Sequence, residues 1–163
     1  MTIPRFLKKN FVSITEVFTV GYPFCGFKIL SGIALSANSS HTALQAFATA
    51  LILLGGLDVL VNTINLLALL MGDERKLEPC TFAIITLILR KRSRDSYFTW
   101  QDFGNSIDVL LSLTLIAIVI GAGLLKHLSP QELLTWNISV IFNVLGAGLG
   151  RFFRSLNSLG NRN

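Results

Sequence analysis

Charge is scarce in this chain: Asp, Glu, Lys and Arg make up 14% of its 163 residues, whereas soluble domains carry about 25%. With 52% hydrophobic residues and a mean hydropathy of +0.62, it has more apolar surface than so small a soluble core can bury. That excludes a water-soluble globular fold and leaves lipid as the natural solvent. Cysteine is scarce too. Cys25 and Cys80 form neither a C-x-x-C pair nor a metal-ligand spacing, so they read as apolar packing residues. Catalytic signatures are missing: there is no G-x-S-x-G elbow, no H-E-x-x-H, and no P-loop or dinucleotide glycine fingerprint. No cluster of His, Cys, Asp and Glu suggests a metal. The expectation is a protein that is not an enzyme and uses no cofactor. No signal peptide is evident in MTIPRFLKKN, which is basic but lacks a small-residue cleavage site.

What the chain does have is apolar runs. Three are clear, at 41–71, 105–125 and 133–150, and a fourth lies within 11–37. A transmembrane helix needs about 20 such residues. The pattern predicts an all-α integral membrane protein, one membrane domain over 1–163, with four transmembrane helices at 22–40, 42–71, 105–125 and 133–150. Two cytoplasmic-side interfacial segments complete it, an amphipathic helix at 4–20 and a short non-spanning helix at 79–96. The basic residues fit this topology. Arg5, Lys8 and Lys9, then Arg75, Lys76, Arg90, Lys91, Arg92 and Arg94, then Arg151, Arg154 and Arg162 fall on one side, leaving Lys126 outside and Lys28 within a span. The positive-inside rule makes that side, and both termini, cytoplasmic.

The run CTFAIITLIL, 80–89, is half the length needed to cross. It is expected to lie along or dip into the cytoplasmic face from Pro79, followed by an aromatic anchor of Tyr97, Phe98, Trp100 and Phe103. In the first segment Leu7, Phe11, Ile14 and Phe18 recur at helical spacing. Gly21-Tyr22-Pro23 are expected to end that helix, because proline cannot donate to the helical ladder. The string TVGYP, 19–23, shares four residues with the TVGYG of potassium-channel filters. Pro23 replaces the permissive final glycine, and the eighteen residues before Thr19 are too few for an outer and a pore helix, so the string reads as a helix break. Lys28 then sits near the cytoplasmic end of the first span, where its stem can reach the headgroups.

Asp58, Asn62 and Asn65 recur at i, i+4 and i+7 and form one polar intramembrane face, which Gly55 extends by a turn. Three roles compete for Asp58: a polar network between helices, an ion pair with Lys28, or a proton or cation site. Asp108 follows Asn105 by three residues and reads as a first-turn acid behind a helix cap; Glu16 reads as a polar-face residue. His41 and His127 fall at outer helix ends, where haem or pigment ligation would require facing helices; no other metal role is expected. Gly55, Gly146 and Gly150 suit close helix packing. Arg90, Lys91, Arg92 and Arg94 form a basic cluster for anionic lipid headgroups or a partner's acidic loops, and a nucleic-acid role is not expected.

Two short echoes run through the chain. Residues 65–72 resemble 143–150, as if two similar halves each held an interfacial helix and a hairpin, while LDVL at Leu57 resembles IDVL at Ile107. The function expected is non-catalytic: a subunit, assembly factor or scaffold of a larger membrane complex, with the bilayer and other subunits or further copies of itself as partners. The alternative is a small oligomeric transporter or a proton or cation pathway on the polar face of the second span. Topology has a direct test. A reporter fused after Arg94 should read as cytoplasmic; an external reading would mean that 80–89 crosses the membrane.

Overall fold

The computed structural model describes residues 5–73, 77–78, 80–90 and 100–160. Among them there is no strand, and the chain forms six α-helices: α1 (Arg5–Glu16), α2 (Tyr22–Asn38), α3 (Thr42–Leu70), α4 (Thr81–Arg90), α5 (Trp100–Gly121) and α6 (Pro130–Gly160). The order of one short helix and two long ones occurs twice. Three helical stretches are long and apolar enough to cross a membrane: Asn10–Asn38, Thr42–Leu70 and Phe103–Gly121. At 29, 29 and 19 residues and about 1.5 Å per residue, each approaches or exceeds the hydrocarbon thickness of ~30 Å.

The chain does not break at Gly21-Tyr22-Pro23. Val17–Gly21 form a single π-turn, and the helix continues into α2. The Tyr22 amide donates to the Val17 carbonyl, five residues back. A proline in a regular α-helix clashes with the carbonyl four residues earlier; widening the turn just before Pro23 removes that conflict at the cost of one irregular turn. Phe11 of α1 and Phe18 of the π-turn are about half exposed. Asn10 is the residue that docks, donating to the carbonyls of Leu69 (3.0 Å) and Asp73 (2.9 Å). Those groups lie at the end of α3, where a helix leaves carbonyls without partners.

α2 is the central element, packed by α3, α5, α6 and the π-turn. Its pairing with α3 is close. A β-carbon on Gly32 would lie 2.6 Å from the Ala48 carbonyl oxygen, and one on Gly55 would lie 2.9 Å from that of Cys25. At the connection, the Gln45 side chain donates to the carbonyls of Ser36 (2.7 Å) and Ser39, capping α2. At its far end α3 stops at Gly72, whose positive φ of 88° lets Asp73 N–H reach the Ala68 carbonyl at 3.0 Å, a Schellman ending.

α6 begins with a capping box. The Ser129 amide donates to Glu132 Oε2 (2.7 Å) and the Glu132 amide to Ser129 Oγ (3.4 Å), with Pro130 in the first turn. The Ser129 N–H holds the Glu132 carboxyl below the usual glutamate value. α6 then runs antiparallel to α2: Trp136 packs edge-on against Phe27 at 5.1 Å, and further along Gly146 meets Thr19 in the π-turn. Phe27, Leu30, Ala34, Leu115, Val119 and Trp136 form the apolar core at the end of the bundle away from the α3–α4 connection.

α5 is already helical at Trp100, ahead of Asn105. The polar stretch before the apolar run is therefore helix, and Asp108 lies in its third turn instead of at a cap. α4 has ten residues and packs on α5 rather than lying alone: Ala83 is fully buried, and a β-carbon on Gly104 would lie 2.7 Å from the Ala83 Cα. Pro79 and 91–99, with Tyr97 and Phe98, lie outside the described residues.

Gly104→Ala should cost about 1–3 kcal/mol by overpacking, because the added methyl meets backbone that cannot rotate away. Gly148→Ala should be neutral or stabilising by roughly 0.5–1 kcal/mol, because nothing lies within 4 Å of that position. Thermal unfolding of the two variants in detergent checks this, and the opposite ranking would mean that α4 is not docked on α5.

Candidate functional site

Three charged side chains meet inside the bundle, each from a different helix. Lys28 on α2 is completely buried, Asp58 on α3 is 1% exposed and Asp108 on α5 is 5% exposed. The Lys28 ammonium donates to Asp58 Oδ2 at 2.5 Å and to Asp108 Oδ1. The expectation that Lys28 snorkels to the headgroups is thus corrected. The helix runs on through Pro23, which carries Lys28 well inside it, and two carboxylates replace the water its ammonium would otherwise need.

The two acids are not equivalent. Asp58 Oδ1 also accepts the Thr81 backbone N–H and the Thr81 hydroxyl, both at 2.6 Å. Asp58 therefore caps the start of α4 from another helix, at the positive end of its dipole, and has three donors among the described residues. Asp108 has one donor among the described residues, Lys28. The start of α4 is held on its other side by Cys80, whose thiol donates to Asn105 Oδ1 at 3.6 Å.

Asn62 and Asn65 share the Asp58 face of α3 but act elsewhere. Asn62 Nδ2 donates to the Asp58 carbonyl at 2.9 Å and lies 3.6 Å from Cys25 Sγ. Its amide also presses on Gly21 in the π-turn, where an added β-carbon would lie 2.5 Å from Asn62 Oδ1. Asn65 grips the Leu77 backbone both ways, donating to its carbonyl (3.0 Å) and accepting from its amide (2.9 Å). The expected polar face is thus divided among an ion site, a helix contact and a loop clasp.

A cavity of about 250 Å³ opens beside the charges. It is lined by Glu16, Phe24, Cys25, Lys28, Asp58, Asn62, Cys80, Asn105 and Asp108, with Val17, Val20 and Gly21 of the π-turn. Glu16 is exposed, so the cavity reaches solvent or headgroups near the end of α1. Its volume is enough for several water molecules. The other end of the ion site is closed by the apolar core around Phe27 and Trp136.

Asp108, Thr81, Cys80 and Asn105 are site residues that sequence reasoning does not assemble. The local pattern starts the third span too late, and so gives Asp108 to a cap. One signal is available: the LDVL and IDVL echo marks the two carboxylates that share Lys28.

The remaining candidates fall outside this site. α2 packs against both α3 and α5, and neither His41 nor His127 is among the residues that meet at the triad or line the cavity beside it. Among the described residues no group of three or more His, Cys, Asp or Glu is placed to hold a metal ion. Gly146 and Gly55 are used in internal packing. The surroundings of Gly150 and of Arg90, and all of Lys91, Arg92 and Arg94, lie outside the described residues.

No protein-family model, no curated protein and no solved structure matches the chain, so a function has to come from the geometry itself. Removing Lys28 leaves two buried carboxylates facing each other without a cation. Lys28→Met should cost about 3–5 kcal/mol. Pairing it with Asp58→Asn alone should recover only part of that, since Asp108 stays charged. Combining Lys28→Met with both Asp58→Asn and Asp108→Asn should recover most. Thermal unfolding in detergent reads the single, double and triple variants; an unchanged midpoint for Lys28→Met would remove the triad from the forces holding the bundle.

Proposed function

We propose that the protein is a four-span membrane protein that binds and passes a monovalent cation, a proton or a small metal ion, at the Lys28–Asp58–Asp108 triad. The observation that carries this is the charge count beside a cavity. Two carboxylates face one ammonium, so the fully ionised triad has a net charge of −1 in a place where uncompensated charge is expensive. A bound cation supplies the missing charge, and the cavity gives it access from one side. Asp108, with one donor against three on Asp58, is the group that exchanges it. Lys28 keeps the empty site from collapsing by like-charge repulsion.

The fourth span is α6, which is 31 residues long and exposes Leu134, Ile138, Ile141, Val144 and Leu145, a surface suited to lipid. The topology follows from the basic residues, twelve of which, those named above, fall on the side of the termini and of the α3–α5 connection; that side is cytoplasmic by the positive-inside rule. The cavity then opens toward the cytoplasm. A π-turn in its wall supports a functional site, since such turns are frequent there. The passage of a cation makes and breaks no covalent bond, so the protein is not an enzyme in this reading. A scaffold role has less support. Gly55 and Gly146, whose fit to close helix packing left internal and intersubunit contacts equally open, are used within the chain, and lipid accounts for the outward leucines as well as a partner does.

Proteoliposomes containing the purified chain should dissipate an imposed pH gradient or monovalent-cation gradient, followed with an entrapped dye. Asp108→Asn keeps an acceptor for Lys28 but loses the exchangeable charge, and should fall to the rate of empty vesicles while eluting like the parent from a sizing column. A parent protein that moves no cation, or an Asp108→Asn variant as active as the parent, would return the protein to a scaffold role.

A further inference from the structure

One turn beyond the triad, on the side away from the cavity, two hydroxyls are buried without partners. Ser31 and Ser112 are both 0% exposed, and neither Oγ has a hydrogen-bond partner among the described residues. A buried hydroxyl left unpaired is costly, and each such group needs a reason.

Their positions supply one. Asp108, Ser112, Leu115 and Val119 are buried while their neighbours Val109, Leu110, Leu113 and Ile118 are exposed, so they form the one stripe that this part of α5 turns to the protein. On α2, Phe24, Lys28, Ser31 and Leu35 form the corresponding buried row. The two rows meet where Lys28 reaches Asp108. The turn that follows α5, Leu124–His127, also packs on α2. Both contacts are possible only if the helices run parallel, because an antiparallel α5 would carry that turn past the start of α2. Three residues from Lys28 and four from Asp108 advance about 4.5 and 6 Å along parallel axes. Ser31 and Ser112 therefore each follow the ion pair by about one turn on their own helix, in the same direction.

We propose that the cation passed at the triad is a dehydrated metal ion of sodium size, held between α2 and α5 by the Asp108 carboxylate and the Ser31 and Ser112 hydroxyls. The assignment rests on the cation-passing function proposed above and narrows it. A proton on Asp108 needs no further oxygen donors, whereas a hard metal ion stripped of water needs several. Neutral hydroxyls add donors without adding charge. The charge selects a monovalent ion, because Lys28 already cancels one of the two carboxylates and a divalent ion would be left undercompensated.

The test uses the full chain in detergent, unfolded thermally in sodium chloride and in choline chloride of equal ionic strength. The parent should show a saturable rise in midpoint with sodium. Ser112→Ala and Ser31→Ala should lose most of that rise. In choline they should be at least as stable as the parent, because each removes an unpaired buried hydroxyl. Equal midpoints for the parent in the two salts, or a full sodium rise in the Ser31→Ala/Ser112→Ala double variant, would overturn the assignment; a water molecule bridging the hydroxyls gives the first of these results. The two proposals fail separately. Proton flux in vesicles free of sodium would leave the cation pathway standing and remove the sodium site. A sodium-dependent midpoint in a protein that moves no cation would do the reverse.

Discussion

One ammonium group organises this bundle. Lys28 holds α2 to α3 through Asp58 and to α5 through Asp108, and Asp58 in turn holds the start of α4 through Thr81. Four helices therefore depend on a contact among three side chains that lipid cannot solvate. Such an arrangement adds little net stability over a well-packed apolar one, because desolvation offsets most of the attraction. What it supplies is specificity: with any of the three charges misplaced, a bare charge would be left in the bundle, so one arrangement of the helices is strongly preferred.

The rest of the fold clears space for that contact. Gly55 lets α3 approach the α2 backbone next to Lys28, and Gly146 lets α6 approach the π-turn at Thr19. The π-turn itself comes from Pro23, and its Val17, Val20 and Gly21 form one wall of the cavity. A residue that would ordinarily end a helix thus shapes the approach to the ions. Asn10 and Asn65 close the same end of the bundle by satisfying backbone groups around the end of α3.

Much of this is visible in the residues. The long apolar runs correspond to α2, α3, α5 and α6, the half-length run corresponds to α4, and Asp58 stands out as a costly acid in the middle of a span. Lys28 is also visible as the one basic residue inside a span. What misleads is punctuation. Gly21-Tyr22-Pro23 looks like a helix end because proline interrupts regular α-helix, and a π-turn that absorbs it leaves no signature in local sequence. Asn105-x-x-Asp108 looks like a cap because the pattern is local, while the helix already includes Trp100 and packs on α4 at Gly104. Both errors move a charge, Lys28 toward the headgroups and Asp108 toward the helix end, and together they hide the triad.

The sequence by itself determined the class of protein: composition requires lipid, hydropathy requires helices, and the scarcity of charge makes each buried one conspicuous. These are sums over residues or periodicities within one helix, and they survive without knowledge of neighbours. Only the tertiary structure decided that Lys28 serves two acids separated from it by 30 and 80 residues, that Asp58 caps a helix it does not belong to, and that Ser31 and Ser112 are buried without hydrogen-bond partners among the described residues. Those facts depend on which helices adjoin and in which direction they run. Helix adjacency is fixed by packing across the whole bundle, and no local pattern of residues encodes it.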